Sequence, residues 1–354
     1  MRETDAEREG AMSSMKLTVN LAERSYDIIL KRGALHNLFQ FARLNRRVAV
    51  VTDAGVPAAY AQIVADQCAE ARIITVPEGE ASKSMKILES VLGQMLDFGM
   101  GRGDLVVAVG GGVVGDLAGF AAAVYMRGVD FINCPTTTLS MIDSSIGGKT
   151  AVDLGNTKNI IGAFWQPKLV VADPDTLATL PRRQYVNGLA EAVKEGLTFD
   201  PALFAIFETG DIDADIETII YRSLMVKKNV VEQDEREHGA RKALNFGHTL
   251  GHGIEAVKGV KGRRKTGLYH GECVALGMLP MIEPKALQKR VRAVYRRIGL
   301  PLRCGYDGEK VLAEMLHDKK ADGGSVTVIR CPGLGCWRDD TIPVESLRAL
   351  VEKG

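Results

Sequence analysis

The sequence predicts an α/β domain with a mainly parallel sheet, followed by an all-α domain. At 354 residues the chain is longer than one typical domain and about right for two. In its first half, short β-branched runs alternate with stretches of helical periodicity, which is typical of a parallel sheet covered by helices. After about Pro181, apolar residues recur every three or four positions and strand-like runs become rare. We therefore expect the α/β domain over residues 15–180 and the helical domain over residues 181–354.

The individual elements follow from periodicity. Residues 82–98 repeat apolar side chains on one helical face between two β-branched runs, which predicts a crossover helix between parallel strands. The predicted strands are residues 47–52, 72–76, 105–109 and 129–133. The predicted helices of the second half are residues 185–197, 216–231, 244–257 and 272–282.

Composition narrows the possible partners and location. Lys and Arg number 45 against 44 Asp and Glu, so no overall field favours nucleic acid or an acidic membrane, and a small-molecule partner is expected. The six cysteines form no Cys-x-x-Cys pair and predict free thiols in a reducing compartment. No apolar run is long enough for a membrane span, and residues 1–14 lack a signal-peptide pattern. We expect a cytoplasmic protein in which residues 1–14 are a disordered extension.

A glycine-rich turn is the first candidate binding motif. Residues 106–116 read VVAVGGGVVGD, a buried strand that runs into glycines and then into a predicted helix at residues 117–124. Glycines and a following helix N-terminus suit a pyrophosphate, but tight strand-to-helix packing would select the same residues. Asp53, at the end of an early strand, could bind a ribose hydroxyl or could simply cap a turn. The motif therefore predicts a dinucleotide site and leaves the packing explanation open.

A charged loop is predicted at residues 143–162, DSSIGGKTAVDLGNTKNIIG. Lys149 and Lys158 could neutralise phosphate or carboxylate, while Asp143 and Asn159 could hydrogen-bond to hydroxyl groups. A plain solvated loop is the alternative. The loop is held at both ends, by the threonines after a strand and by an apolar segment, which favours a site for a small anionic polyol.

The histidines suggest a metal site. His248 and His252 are four residues apart, so on a helix they share a face and could bind one ion. His270 opens a second predicted helix, and Glu191, one turn before Lys194, could complete a set of two histidines and one carboxylate. The alternative is that each histidine only satisfies a local hydrogen bond.

Six strings occur in order: GGGVVGDLAGF, DSSIGGKT, KNIIGAFWQP, GLAEAVK, LNFGHTLGH and HGE. Together, over about residues 45–325, they resemble the 3-dehydroquinate synthase family of the sugar phosphate cyclases. The resemblance implies an amino-terminal NAD domain, a carboxyl-terminal helical metal domain, an active site between them and a homodimer.

The resemblance also implies roles for individual residues. It implies that a divalent metal, zinc or cobalt, is bound by Glu191, His248 and His270, and that His252 instead hydrogen-bonds to the substrate. Arg127 resembles the arginine that family members contribute to the neighbouring subunit's site. The implied NAD contacts are Asp53, Glu78, Gly79, Glu80, Lys83, Gly112, Val113, Val114, Gly115, Asp116, Thr136, Thr137, Lys149, Lys158, Thr176, Leu177 and Thr179. The implied substrate contacts are Asp143, Lys149, Asn159, Lys194, Lys227, Arg241, Asn245, His252 and either Lys319 or Lys320.

The implied reaction closes a phosphorylated keto-sugar acid, 3-deoxy-D-arabino-heptulosonate 7-phosphate, into a carbocycle. Transient oxidation by NAD, loss of phosphate, re-reduction and an intramolecular aldol closure give 3-dehydroquinate, a step of the shikimate pathway. Three alternatives remain: another sugar phosphate cyclase, a glycerol-dehydrogenase-like oxidoreductase, and a non-catalytic binding protein. Arg241 and Asn245 argue against the first, because its substrates lack the carboxylate that needs a cationic partner.

Overall fold

The computed structural model describes residues 15–155, 157–237, 239–257, 260, 267–317 and 324–352. The chain forms two compact units. Among the described residues, the first unit comprises residues 15–136 and 145–179, and the second comprises residues 137–144 and 180–352. No helix in the described part of the chain is both long enough and apolar enough to cross a bilayer.

The first unit is built on a seven-stranded sheet with the order β1-β2-β9-β6-β5-β3-β4. Only the β1–β2 pair is antiparallel, so the predicted, mainly parallel sheet is confirmed. The strands are β1 (Met15–Val19), β2 (Tyr26–Leu30), β3 (Arg47–Asp53), β4 (Glu70–Val76), β5 (Leu105–Gly110), β6 (Asp130–Pro135) and β9 (Leu169–Ala172). A separate pair outside this sheet is β7 (Lys149–Leu154) and β8 (Thr157–Phe164).

Buried side chains cover both faces of this sheet. Along β5, Val106 and Ala108 belong to one core cluster, whereas Val107 and Val109 belong to another. Strands that are buried on both faces read as continuous apolar runs, which is why their β-branched residues were visible in the sequence. The helices of this unit are α1 (Ala58–Ala65), α2 (Met85–Asp97) and α3 (Gly112–Val124).

Helix α2 is the crossover predicted at residues 82–98. It begins after Ser84, whose hydroxyl accepts a hydrogen bond from the backbone N–H of Ile87 at 3.4 Å. Leu88, Val91 and Met95 are buried at helical spacing. The apolar stripe therefore packs on the sheet and positions the loop that precedes the helix.

The charged segment at residues 143–162 differs from the predicted loop. Its larger part is an antiparallel hairpin in which Lys149 of β7 pairs with Phe164 of β8. Its start is a π-helical turn, Ser140–Ser144, which belongs to the second unit. In β8, partly buried Ile161 and Ala163 alternate with exposed neighbours, a period-two strand signal that the glycines and charged residues of the segment masked.

The second unit is mainly helical, as predicted, and also contains a two-stranded antiparallel hairpin. Its helices are α4 (Arg182–Thr198), α5 (Pro201–Thr209), α6 (Ile216–Gln233), α7 (His248–Ala256), α8 (His270–Met278), α9 (Lys285–Ile298), α10 (Gly308–His317) and α11 (Leu347–Val351). Its strands are β10 (Ser325–Gly333) and β11 (Cys336–Pro343). In β10, buried Val326 and Val328 flank exposed Thr327, which is the period-two burial pattern of a strand. The predicted all-α domain did not include this hairpin.

Candidate active site

In the first unit, the candidate nucleotide contacts collect at one edge of the sheet. Parallel strands end together at their carboxyl edge, which is where α/β sheets bind ligands. Asp53 ends β3, and Thr136 follows β6, where its backbone N–H donates to the Gly110 carbonyl at 2.9 Å. The segments that follow strands at this edge are Glu78–Lys83 after β4, Gly112–Asp116 after β5 and Thr176–Thr179 after β9.

The glycine-rich turn is itself helical. Helix α3 starts at Gly112, directly after β5 and the N-cap Gly111, rather than at residue 117 as predicted. The prediction was wrong because glycine has a low helix propensity, whereas buried packing stabilises this first turn. An added Cβ at Gly115 would lie 3.0 Å from the Asn133 side chain. The first turn therefore lies close to the sheet and presents backbone N–H groups at the carboxyl edge.

A buried lysine links several predicted residues at this edge. Lys83 is 4% exposed and donates to Asp116 at 2.7 Å and to the side-chain oxygen of Asn159. Burial raises the pKa of the Asp116 carboxyl to about 6, although Lys83 opposes the shift. Lys158 lies 3.6 Å from Glu80. Asn159, expected to contact substrate, is thus brought among the expected nucleotide contacts of the same unit.

The remaining residues of this edge have local partners. Asp53 accepts hydrogen bonds from the backbone N–H groups of Gly55 and Val56 at 2.8 and 3.2 Å, so it caps a turn, as the alternative explanation held. Tyr60, which the sequence analysis did not single out, lies with its hydroxyl 2.9 Å from that of Thr179. Tyr60 lies on α1 at the helical spacing of an ordinary packing residue, so the sequence did not indicate that it belongs to this group.

Three predicted residues lie outside that group. Lys149, at the start of β7, is exposed, as is Arg127, which adopts a left-handed conformation with φ 69°. Thr137 belongs to the second unit, where its hydroxyl accepts a hydrogen bond from the backbone N–H of Ser140 at 3.2 Å.

The second unit brings the three implied metal ligands together. Glu191 comes from α4, and His248 and His270 are the first residues of α7 and α8. Glu191 Oε1 lies 3.8 Å from His248 Nε2 and 3.6 Å from His270 Nε2. Glu191 is fully buried, and its Oε1 has no hydrogen-bond partner among the described residues. Because a buried carboxylate oxygen is rarely left without a partner, this donor set fits a divalent cation.

Close helix packing creates this arrangement. An added Cβ at Gly277 of α8 would lie 2.0 Å from the carbonyl oxygen of Gly247, just before α7. Gly251 of α7 faces α8 in the same way, 3.1 Å from Val274 Cα. These glycines let the two helices approach until their histidine rings are 5.4 Å apart, centroid to centroid.

The imidazoles of His248 and His270 are both oriented through Nδ1. His248 Nδ1 lies 3.3 Å from the Phe246 carbonyl oxygen, and His270 Nδ1 lies 3.0 Å from Glu255 Oε2. In each case Nε2 faces Glu191. Burial lowers the pKa of His248 well below its usual value, while Glu191 and Glu255 overcome burial and raise the pKa of His270 to about 10.

The Glu191 carboxyl is ionised despite its burial. Burial alone would raise its pKa, but Lys194, His248 and His270 outweigh that effect and hold the pKa well below the usual value. Lys194 is 1% exposed and donates to Glu191 Oε2, and the neighbouring carboxylates raise its pKa. The other Glu191 oxygen is the one that faces the histidines.

A second ion pair lies beside this centre. Lys227 of α6 donates to Asp143 of the π-helical turn. Burial opposes ionisation of Asp143, but Lys227 and Lys194 lower its pKa to about 2. Burial lowers the pKa of Lys227, partly offset by Asp143. Gly188 lets α4 approach the chain just before the π-helical turn, because an added Cβ would lie 2.2 Å from the backbone nitrogen of Leu139.

The 3-10 helix Ala240–Asn245 contributes the two residues expected to recognise a carboxylate. Arg241 is 2% exposed and donates to the Glu235 carbonyl oxygen. Asn245 donates to Glu237, which has a left-handed φ of 65°. Glu237 was not singled out from the sequence, because it lies in an acidic run that reads as a solvated face.

Glu195 is a further buried residue near this site that the sequence did not indicate. It is fully buried beside Lys194, and burial raises the pKa of its carboxyl well above the usual value. Its place in α4 between Lys194 and Gly196 carries no sequence signal that separates a buried neutral glutamate from an exposed one.

His252 is not one of the residues around Glu191. Its ring centroid is 5.1 Å from that of His248 and 5.9 Å from that of His270, and the residue is exposed. The grouping of Glu191 with His248 and His270 follows the set implied by the resemblance, rather than the pair suggested by four-residue spacing alone. Lys319, Lys320 and His238 lie outside the described residues.

Two known family models match adjacent parts of this chain. The family model of the 3-dehydroquinate synthase N-terminal domain matches residues 73–187, and that of the 3-dehydroquinate synthase C-terminal domain matches residues 188–321. The chain belongs to the 3-dehydroquinate synthase family. The resemblance drawn from the ordered strings is therefore confirmed.

Curated relatives in the 3-dehydroquinate synthase family match nearly the whole chain. The 3-dehydroquinate synthase of Rhodospirillum rubrum is 42% identical and covers 98% of this chain and 98% of its own length. That of Pelobacter propionicus is 42% identical over 90% of this chain and 94% of its own. The match extends well beyond the strings that carry the candidate site.

Solved structures support the fold. A 2-deoxy-scyllo-inosose synthase in complex with carbaglucose-6-phosphate, NAD+ and Co2+ has a TM-score of 0.86 and 24% identity, covering 96% of this chain and 100% of its own. A 2-epi-5-epi-valiolone synthase from Streptomyces hygroscopicus subsp. jinggangensis, with NAD+ and Zn2+ bound, has a TM-score of 0.81 and 28% identity, covering 95% and 99%. The predicted fold class, an α/β domain followed by a mainly helical domain, is thus confirmed.

Proposed function

We propose that this protein is a 3-dehydroquinate synthase that converts 3-deoxy-D-arabino-heptulosonate 7-phosphate into 3-dehydroquinate and phosphate. The observation that carries the proposal is the buried centre of the second unit, where Glu191 Oε1 faces two histidine Nε2 atoms beside buried cations. Membership of the family and curated relatives of that name support the same reaction.

In this proposal Glu191, His248 and His270 hold a zinc or cobalt ion, and the carboxyl edge of the first unit holds NAD. When bound, the ion would polarise a substrate hydroxyl oxygen, and NAD would reversibly oxidise the carbon that bears this hydroxyl. Solved cyclases with NAD+ and Co2+ or Zn2+ bound support the use of these two groups. In the first unit, the first turn of α3 and Lys83 suit pyrophosphate, because backbone N–H groups and a buried cation meet there.

The protein's own charges suit a substrate that carries phosphate and carboxylate. Lys194, Lys227 and Arg241 are buried cations of the second unit, opposed by the ionised carboxylates of Glu191 and Asp143. A buried cation orients an anionic group strongly, because water does not screen it. We assign carboxylate or phosphate contacts to Arg241, Asn245, Lys194 and Lys227, and hydroxyl contacts to Asp143 and His252. Lys149, Asn159 and either Lys319 or Lys320 complete the proposed substrate set.

The test is a phosphate-release assay with this substrate and catalytic NAD, with and without chelator, while absorbance reports NADH. We expect release that requires metal and leaves no accumulated NADH. Turnover of glucose 6-phosphate or sedoheptulose 7-phosphate instead would assign the protein to a sister cyclase. Steady NADH formation from a simple polyol would make it a dehydrogenase.

A pair of variants makes this assay specific for the substrate carboxylate. Arg241→Gln should lower kcat/KM by about tenfold to hundredfold, as expected for loss of a buried charge-assisted hydrogen bond. The matched control is Arg338→Gln, since Arg338 is 54% exposed and pairs with Glu283 at 2.6 Å. Equal activity of the two variants would argue against a carboxylate partner at Arg241.

We further propose a homodimer in which Arg127 completes the partner's site. Apolar side chains of the β7–β8 hairpin support a buried contact, since Leu154, Ile160 and Phe164 are 56%, 60% and 44% exposed. Sedimentation would report the dimer. Mixing inactive Arg127→Ala and Lys194→Ala chains should restore part of the activity if the arginine acts across subunits, whereas no recovery would place it elsewhere.

We also propose that the protein acts in the cytoplasm. None of the six cysteines, all of which lie within the described residues, is part of a disulfide bond, which fits a reducing compartment. Fractionation of cells that produce the protein would test this location.

A further inference from the structure

The carboxylate of Glu255 lies behind one of the proposed metal ligands. Its Oε2 is 3.0 Å from His270 Nδ1, on the side of the ring opposite the Nε2 that faces Glu191. Glu255 itself is 17% exposed at its side chain. The imidazole is therefore held between two carboxylates, one at each nitrogen.

We propose that Glu255 is a positioning residue that fixes the tautomer and orientation of His270. By accepting a hydrogen bond from Nδ1–H, Glu255 keeps the proton on Nδ1 and leaves Nε2, which faces Glu191, as the nitrogen available to a cation. A carboxylate in this position also makes the histidine a better donor to a cation. The inference rests on the proposed function, because it concerns how the metal set of that site is prepared.

The helix geometry accounts for the position of Glu255. His248, His252 and Glu255 lie at positions i, i+4 and i+7 of α7, so they share one face. The glycine contacts between α7 and α8 bring that face against the start of α8, where His270 is the first residue. Glu255 thus lies on α7 with His248, and it hydrogen-bonds to His270 of α8.

The two histidines differ in what supports them. His248 Nδ1 lies 3.3 Å from a neutral backbone carbonyl, whereas His270 Nδ1 lies 3.0 Å from a carboxylate. His270 is also the more exposed of the two side chains, at 29% against 13%. The more exposed ring therefore has the stronger, charged support, as expected if packing alone does not fix it.

A second cation held by His252, Glu255 and His270 is the competing use of the same atoms. His270 Nδ1 cannot both donate a hydrogen bond to Glu255 and ligate an ion. Using both ring nitrogens as ligands would require an imidazolate bridge. The 3.0 Å contact between Nδ1 and Oε2 has the length of a hydrogen bond and favours the positioning role.

The experiment measures metal binding directly, by competition of zinc and cobalt with a chromophoric chelator. We expect one ion per wild-type chain, an affinity about 10–100-fold lower in Glu255→Ala, and an intermediate value in Glu255→Gln, whose amide oxygen still accepts from Nδ1–H. The control is Glu314→Gln, an exposed glutamate of α10, which should bind metal as the wild type does. An unchanged affinity in Glu255→Ala would overturn the inference and leave the proposed function standing.

A second measurement does not depend on a variant that folds. Long-range 1H–15N spectra of the zinc-loaded wild type should show His270 protonated at Nδ1, and an Nδ1 without a proton would contradict the proposal. Two ions per wild-type chain, with one lost in Glu255→Ala, would replace it with the second-cation site. No metal binding by the wild type would overturn both the inference and the metal assignment of the proposed function.

Discussion

The two units present their candidate sites in different physical ways. At the sheet edge of the first unit, the candidate contacts include the first turn of α3 and exposed side chains such as Lys158, at 46%. In the second unit the corresponding groups are buried ionisable side chains, with Glu191 at 0%, Lys194 at 1% and Arg241 at 2% exposure. One site is built largely on backbone geometry and the other on buried charge.

This difference predicts how substitutions in each unit affect ligand affinity and folding. Exposed charges interact weakly because water screens them, so a substitution there should alter ligand affinity with little effect on folding. Buried charges depend on their partners, so removing one partner leaves the other uncompensated. Substitutions in the second unit should therefore affect chemistry and stability together.

The largest effect is expected at the buried carboxylate itself. Glu191→Gln should weaken metal binding and turnover by about a thousandfold or more, because a binding free energy of about 10–16 kcal/mol is shared among a few ligands. It also removes the anionic partner of Lys194. Chelator competition and phosphate release measure the two losses. If both stay within tenfold of wild type, the metal centre lies elsewhere.

The next effect concerns Asp143 and Lys227. Asp143→Asn should destabilise the fold by roughly 3 kcal/mol at neutral pH, because Lys227 keeps its burial and loses its ionised partner. The Asp143 pKa falls from 3.8 to about 2 in the folded protein, so its contribution is present above pH 3.8 and disappears as the pH falls toward 2.

Urea unfolding between pH 6 and pH 2 measures this contribution. The difference between wild type and Asp143→Asn should shrink as the pH falls through that window. A difference that is constant with pH would mean that the ion pair contributes nothing to stability.

A smaller effect tests the helix contact that assembles the ligands. Gly277→Ala should cost about 1–3 kcal/mol, since the new methyl group would meet the Gly247 carbonyl oxygen at 2.0 Å and push α7 from α8. Metal affinity should fall as the histidines separate. Gly93→Ala in α2 is the control, because no atom lies within 4 Å of its added Cβ. Equal melting temperatures for the two variants would contradict a tight contact.

The smallest effect is expected in the first unit. Lys158→Ala should change the free energy of unfolding by less than about 1 kcal/mol, because its contact with Glu80 is exposed. NAD affinity should fall by less than about tenfold, which titration of cofactor fluorescence can measure. A large loss of stability would contradict the weak, solvent-screened contact expected for Lys158 and Glu80.

Sequence reasoning was most successful where the signal is local. The buried strands β3 and β5 read as β-branched runs, and α2 has an apolar stripe on one helical face. It was wrong for the hairpin of β7 and β8 and for the start of α3, because glycines and charges obscure a strand and weaken a helix signal while tertiary packing stabilises both.

The sequence likewise indicated some residues of the candidate site and not others. The sequence by itself determined the family, through ordered strings, and through that resemblance it predicted Glu191, His248 and His270 as metal ligands. It could not select Glu255, Glu195 or Glu237, since a glutamate in a helix or an acidic run reads as an exposed residue whatever it contacts.

Only the tertiary structure decided which distant residues meet. It placed His270, rather than His252, with His248 and Glu191, and it assigned Asp143 to the helical unit beside Lys227. Both outcomes depend on how closely helices approach at Gly277 and Gly188, where a single methyl group would meet backbone atoms. Spacing along the chain reports which residues share one helix face, whereas contacts between helices depend on packing that no local pattern records.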